Sequence, residues 1–143
     1  MTQLTYREAT AADVEALLEL WAVAAEDAHR PADDAAAVLR LLDRDPRALL
    51  LACDGDRLVG SVIGGWDGWR FHLYRLAVLP AYRRLGIAQH LLAQVEQSFA
   101  AHGATRIDAM VLRDNRLAHG FWAATGYSEQ EEWRRWVKHP AVH

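Results

Sequence analysis

Apolar residues recur along this chain with two alternating periods, and the alternation predicts its elements. Near the N-terminus "QLTYREA" alternates as a short strand does. Thr10 and Asp13 then form a T-x-x-D variant of the capping box. It precedes Val14, Leu17, Leu18, Trp21 and Ala25, the stripe of an amphipathic helix. His29, Arg30 and Pro31 break that helix, and "DDAAAVLRLLDRD" predicts a second, short one closed by Pro46. "ALLLAC" reads as a buried strand, Asp54-Gly55 as a hairpin turn, and "RLVGSVIGGW" as the returning strand. After a further turn at Asp67-Gly68, "RFHLYRLAVLP" predicts a long strand stopped by Pro80. Ile87, Leu91, Val95 and Phe99 recur every four residues, a helix with Gly103 where a C′ residue belongs. "RIDAMVL" predicts another strand, "NRLAHGFWAAT" a short helix capped by Asn115, and "EEWRRWVK" a last strand. The order is β-α-α-β-β-β-α-β-α-β, with no repeat, linker or low-complexity tract.

Composition narrows this picture. A chain of 143 residues with 52% hydrophobic content is expected to form one domain, 1–143, around one core. The net charge of −3 argues against a general nucleic-acid binder, whose affinity rests on neutralising phosphates. Charge is unevenly spread: up to Arg70 there are thirteen Asp/Glu against seven Arg, and after it six against nine Arg/Lys. The second half is therefore the expected host of an anionic ligand, and the first half of a cationic one. Cys53 is the only cysteine, which excludes an internal disulfide and a thiolate-rich metal site. The N-terminus has no basic stretch followed by an apolar block, and nothing approaches a membrane span. A soluble, cytoplasmic protein with no membrane partner is expected.

The stretch "YRRLGIAQHLL", Tyr82 to Leu92, places two arginines and a glycine at the mouth of a helix. A helix N-terminus has unpaired N–H groups and a partial positive charge, so it binds phosphate directly. Gly86 and the small Ala88 allow close approach to the backbone, and Arg83 and Arg84 add charge-assisted hydrogen bonds. The pattern is neither a Walker P-loop, which needs G-x-x-x-x-G-K-[ST], nor a Rossmann fingerprint. Instead R-x-x-G-x-A, Arg83 to Ala88 after "LAVLP", resembles the acetyl-CoA pyrophosphate segment of the GNAT N-acetyltransferases. Asp114-Asn115, Ala118, Phe121-Trp122 and Gly126-Tyr127 fall where that family places its next strand, Asn-capped helix and closing strand. The resemblance spans essentially the whole chain, most tightly Val59 to Tyr127, and is to small single-domain bacterial members.

The resemblance implies an α+β fold with about four helices. Its mixed, mostly antiparallel sheet would have six to seven strands and be splayed between the fourth and fifth. It implies acetyl-CoA as cosubstrate and no metal. Pantetheine would pair with the backbone of Leu76, Ala77 and Val78 as an added strand does. The pyrophosphate would lie on Arg83, Arg84, Leu85, Gly86, Ile87 and Ala88, with Asn115, Ala118 and Phe121 completing the cofactor site. Asn115 serves equally as a plain N-cap.

Attack on a thioester requires a neutral amine, yet a lysine has a reference pKa of ~10.4 and an α-amino group ~8. Something must take a proton. In the family the base often comes from the fourth strand, where His72 stands at a position several members fill with Glu. Histidine suits neutral pH. The other reading of His72 is a hydrogen-bonded strand residue, and alternation puts Tyr74 on its face. The family's usual acid is a tyrosine, and Trp122 occupies its place. An indole N–H donates a hydrogen bond but does not give up its proton. Coenzyme A leaves as a thiolate, tolerable for a thiol of pKa near ~8.5. Tyr127 is either a packing residue or a substitute acid.

Trp21, Glu26, Asp27, His29, Arg30, Trp66 and Trp69 fall in segments that border the acceptor in such enzymes. Carboxylates beside aromatics suit a cationic amine. The acceptor is a small-molecule amine or a protein or peptide amine, and the chain a monomer or homodimer. Two functions stand: an N-acetyltransferase working by direct attack in a ternary complex, or an acetyl-CoA-binding sensor module with little turnover.

Overall fold

A computed structural model describes residues 3–25 and 32–141. Its contacts group into two compact units, Met1–Met110 and Val111–His143.

The first unit begins with β1 (Leu4–Glu8) and a turn in which the Asp13 carboxylate accepts the Thr10 N–H at 2.8 Å, the reach-back half of the capping box. That carboxylate also takes two hydrogen bonds from Arg7, both 2.8 Å, which hold its pKa down to about 2. Helix α1 (Val14–Ala24) follows and buries Val14, Leu17, Leu20 and Trp21. Asp34 caps α2 (Ala35–Arg44) by accepting the Ala37 N–H at 2.7 Å. Strands β2 (Leu49–Asp54), β3 (Arg57–Trp66) and β4 (Phe71–Val78) form an antiparallel meander. The crossover helix α3 (Ile87–Ala101) then leads to β5 (Ile107–Ala109), parallel to β4. The sheet order is β1-β2-β3-β4-β5.

Each face of the sheet is covered. Leu49, Leu51, Cys53 and Ala77 pack with α1 and α2 in one buried cluster. On the other face α3 lies so close that a Cβ on Gly64 would come within 2.6 Å of Val95 Cγ1, and one on Gly60 within 3.1 Å of Ile87 Cγ2. Those two glycines of "RLVGSVIGGW" are what let α3 approach. In the second unit α4 (Arg116–Ala124) is capped by Asn115, and Gly126 takes a φ of +96° after it.

The architecture is the expected α+β fold with four helices and a mostly antiparallel mixed sheet, with four corrections. Five strands form among the described residues, not six or seven. The expected last strand, "EEWRRWVK", forms no helix or strand and is exposed throughout. Its aromatics explain this: Trp133 and Trp136 are three apart, so a strand would put them on opposite faces and bury neither row. "RIDAMVL" contributes only Ile107–Ala109. The first hairpin turn is Gly55-Asp56, one residue later than read, because Asp54 still pairs with Arg57 and Gly55 takes the left-handed position.

Candidate active site

Strand β4 is regular only at its ends. Ser61 pairs with Ala77 and Ile63 with Tyr74, so Arg75 and Leu76 together oppose the single residue Val62. That is a β-bulge, and Arg75 sits in it at φ +52°. A buried relay holds it. Trp21 Nε1–H donates to Ser61 Oγ at 2.8 Å, and Ser61 Oγ–H donates to the Arg75 carbonyl at 2.8 Å. Both polar groups of the relay are thereby satisfied inside the core.

The bulge coincides with the opening of the sheet. Among the described residues β5 pairs with Phe71, His72 and Leu73 and no further, so the β4 segment from Tyr74 to Val78 has a ladder partner only in β3 there. Leu76, Ala77 and Val78 lie on this open stretch, with an unpaired main-chain edge of the kind an extended ligand uses.

Beyond β4 the chain turns through Pro80–Tyr82 and then takes left-handed backbone twice, at Arg84 (φ +66°) and Gly86 (φ +78°). His90 N–H is the first to close onto Gly86, at 3.0 Å, so the N–H groups of Ile87, Ala88 and Gln89 have no helical acceptor. Arg83, Arg84, Leu85 and Gly86 are exposed, Ala88 is half-buried and Ile87 is buried as the helix anchor. A Cβ placed on Gly86 meets nothing within 4 Å, so the backbone there opens to solvent. Two ring contacts fix the turn from outside: Tyr82 O–H donates to Asp54 Oδ2 at 2.6 Å, and His90 stacks on Tyr6 with centroids 3.7 Å apart. The Tyr82 bond, with a second from Gln3 N–H, keeps the Asp54 carboxyl below its ordinary range. The turn therefore fits a phosphate on three counts: free N–H groups, open glycine backbone and two adjacent guanidinium groups.

His72 and Tyr74 share a face, their rings 6.0 Å apart. Sequence reasoning missed the acids around His72. Asp108 is its register partner on parallel β5 and so projects from the same face. Arg106, bonded to Asp108 at 2.6 and 3.1 Å, holds that carboxyl below the usual range. The Asp67 carboxyl is held down by the N–H groups of Arg70 and Trp69, and the charge of His72 acts on both acids in the same direction. Only the β4–β5 register reveals this grouping.

On the α1 and α2 side a cavity of about 190 Å³ lies against the bulge, lined by Trp21, Asp33, Asp34, Val38, Tyr74 and Arg75 among others. Trp21 lines this cavity and is also buried in the core cluster. Trp66 stacks on Phe71, and Trp69 is largely exposed with Arg70 over its ring. Glu26, Asp27, His29 and Arg30 lie outside the described residues.

The second unit brings together the rest of the expected residues. Asn115 Oδ1 accepts the Ala118 N–H at 3.1 Å. Trp122 meets Phe121 edge-on at 5.4 Å and Tyr127 at 4.9 Å, and Tyr127 N–H donates to the Trp122 carbonyl at 2.9 Å. Trp122 and Tyr127 thus form one aromatic cluster.

The sequence model of the acetyltransferase (GNAT) family matches residues 14–127. An acetyltransferase of Pectobacterium atrosepticum is 37% identical over 116 residues, 80% of this chain and 81% of the relative. Among solved structures, Ard1 from Thermoplasma volcanium superposes with a TM-score of 0.76 at 19% identity, over 87% of this chain and 82% of that one. A predicted acetyltransferase from Clostridium acetobutylicum, solved with acetyl-CoA, gives 0.75 at 14% identity over 94% and 96%.

Proposed function

This chain belongs to the acetyltransferase (GNAT) family, and from that premise we propose that it moves an acetyl group from acetyl-CoA to a primary amine by direct attack. The observation that carries the reading is the pairing of an anion-ready helix turn with an opened strand: Arg83 to Ala88 follows directly on the unpaired edge of Leu76 to Val78. The turn suits a pyrophosphate and the edge suits an extended amide-bearing arm. Both units are read as one catalytic domain, which the family match supports by running across both.

In the reaction the amine nitrogen bonds to the thioester carbon and the carbon–sulfur bond breaks. His72 takes the proton from the attacking nitrogen, and the sulfur leaves with the bonding electron pair. Asp108, the register partner of His72 on β5, shares the face from which His72 acts. Direct attack is supported by Cys53, the only cysteine, which is buried in the core cluster and offers no thiol to carry the acetyl group. Trp122 keeps the second reading, an acetyl-CoA sensor with little turnover, in play as the outcome that thiolate departure without an acid would replace.

The test is thiol release from acetyl-CoA across a panel of amines. Release that depends on the amine, with equimolar acetylated product, supports the enzyme. Binding of acetyl-CoA without amine-dependent release leaves the sensor.

A further inference from the structure

We propose that the cavity beside the β4 bulge selects small amines that carry a carboxylate, and that Arg75 is the residue that reads it. The inference rests on the acetyl-transfer reading and names the substrate class for it.

Arg75 is an unexpected residue at φ +52°, where glycine or asparagine sits at less cost and most other side chains are strained. The fold nevertheless puts a guanidinium there and holds it from three sides. Its carbonyl is tied to Ser61. Its Cζ lies 5.8 Å from the centre of the Trp21 ring, within range of a cation–π contact. Its Nε and Nη2 both donate to one oxygen of Asp33, at 3.2 and 2.7 Å.

That last pairing is the informative one. A guanidinium meets a carboxylate best through two parallel bonds to two oxygens. Here Asp33 occupies one edge through the single atom Oδ1, and among the described residues Nη1 has no hydrogen-bond partner. The edge formed by Nη1 and Nη2 is therefore open for a second carboxylate on a side chain that lines the cavity. Arg75 is partly exposed, so the donors are reachable. Backbone relay, ring and ion pair pre-organise the guanidinium, which lowers the ordering cost of binding.

Size sets the other limit. About 190 Å³ is below the roughly 300–1,000 Å³ of drug-sized sites, so the occupant is of amino-acid size. Val38, Leu41, Ile63 and the Trp21 ring give it apolar walls, and Asp34 gives the amine end a carboxylate.

Matched acceptor pairs, each an amino acid and its decarboxylated amine, test this by thiol release. Wild type is expected to prefer the carboxylate member by about 10²-fold in kcat/KM, expressed mainly in KM. Arg75→Gln collapses that preference toward unity, and Arg75→Lys recovers only part, because an ammonium lacks the fork. Acetyl-CoA binding of each variant, measured alongside, shows that the fold is intact. Equal use of both members by wild type, preference for the decarboxylated member, or a proportionate loss on both in Arg75→Gln overturns the proposal. Should Arg75→Gln not fold, the wild-type preference alone decides. Acetyl-CoA binding with no turnover of any acceptor overturns the acetyl-transfer reading instead.

Discussion

Two places in the first unit carry left-handed backbone next to the open edge of β4, and they are built in opposite ways. The turn before α3 has two such positions, Arg84 (φ +66°) and Gly86 (φ +78°), and at Gly86, where the helix begins, the backbone takes it without steric cost and leaves no side chain in the path of a ligand. In the bulge it falls on Arg75, which does pay, and which is held by a relay from α1 through β3. At Gly86 the irregularity is local and cheap; at Arg75 it is held by tertiary structure. On the proposed reading, the difference separates recognition of a common coenzyme, done mostly by backbone, from recognition of a particular acceptor, done by a positioned side chain.

Substitutions sharpen or break that contrast. The largest effect is expected at Gly86→Asp, which forces a side chain onto left-handed backbone and sets a carboxylate beside the phosphate position. Acetyl-CoA should no longer raise the melting temperature, where at a hundredfold excess over Kd wild type gains about 2.7 kcal/mol. A wild-type shift in the variant would place the phosphate elsewhere. His72→Ala is expected to lower kcat/KM by about 10²-fold and to remove the ascending limb of its pH profile, with coenzyme affinity nearly unchanged. An unaltered profile would make His72 a strand residue only.

Ser61→Ala attacks the costly irregularity. It strands the Trp21 Nε1–H and the Arg75 carbonyl in the core, so chemical denaturation should show a loss of about 1–3 kcal/mol. A cost near zero would show that the bulge stands without the relay. Smallest is Trp122→Phe, expected to cost roughly tenfold or less in kcat, since an indole donates a hydrogen bond but no proton. Tyr127→Phe is its control: a loss of 10²-fold or more in a folded variant would make Tyr127 the acid.

What was legible in the sequence follows the same division. Period and punctuation showed the strands and helices up to α4, because Thr10, Asp34, Pro80, Gly86 and Asn115 act on their neighbours in the chain. The turn from Arg83 to Ala88 was readable for that reason. The bulge was not: "HLYRLAV" breaks its alternation at Arg75, between Leu73 and Ala77, but only the pairing with β3 shows that this break is an inserted residue. Asp33 beside Arg75, Ser61 beneath it and Asp108 beside His72 are likewise products of register and packing. The tail "EEWRRWVK" misled in the other direction: its two tryptophans and Val137 suggest a strand, yet a strand needs a partner ladder, and propensity alone supplies none.

Direct transfer between two bound partners is the central claim, and initial rates with acetyl-CoA and amine both varied test it most directly. Double-reciprocal lines that intersect are expected, the signature of a ternary complex in which the amine attacks the thioester itself. Parallel lines, accompanied by an acetylated enzyme detectable by mass before any amine is added, would contradict it.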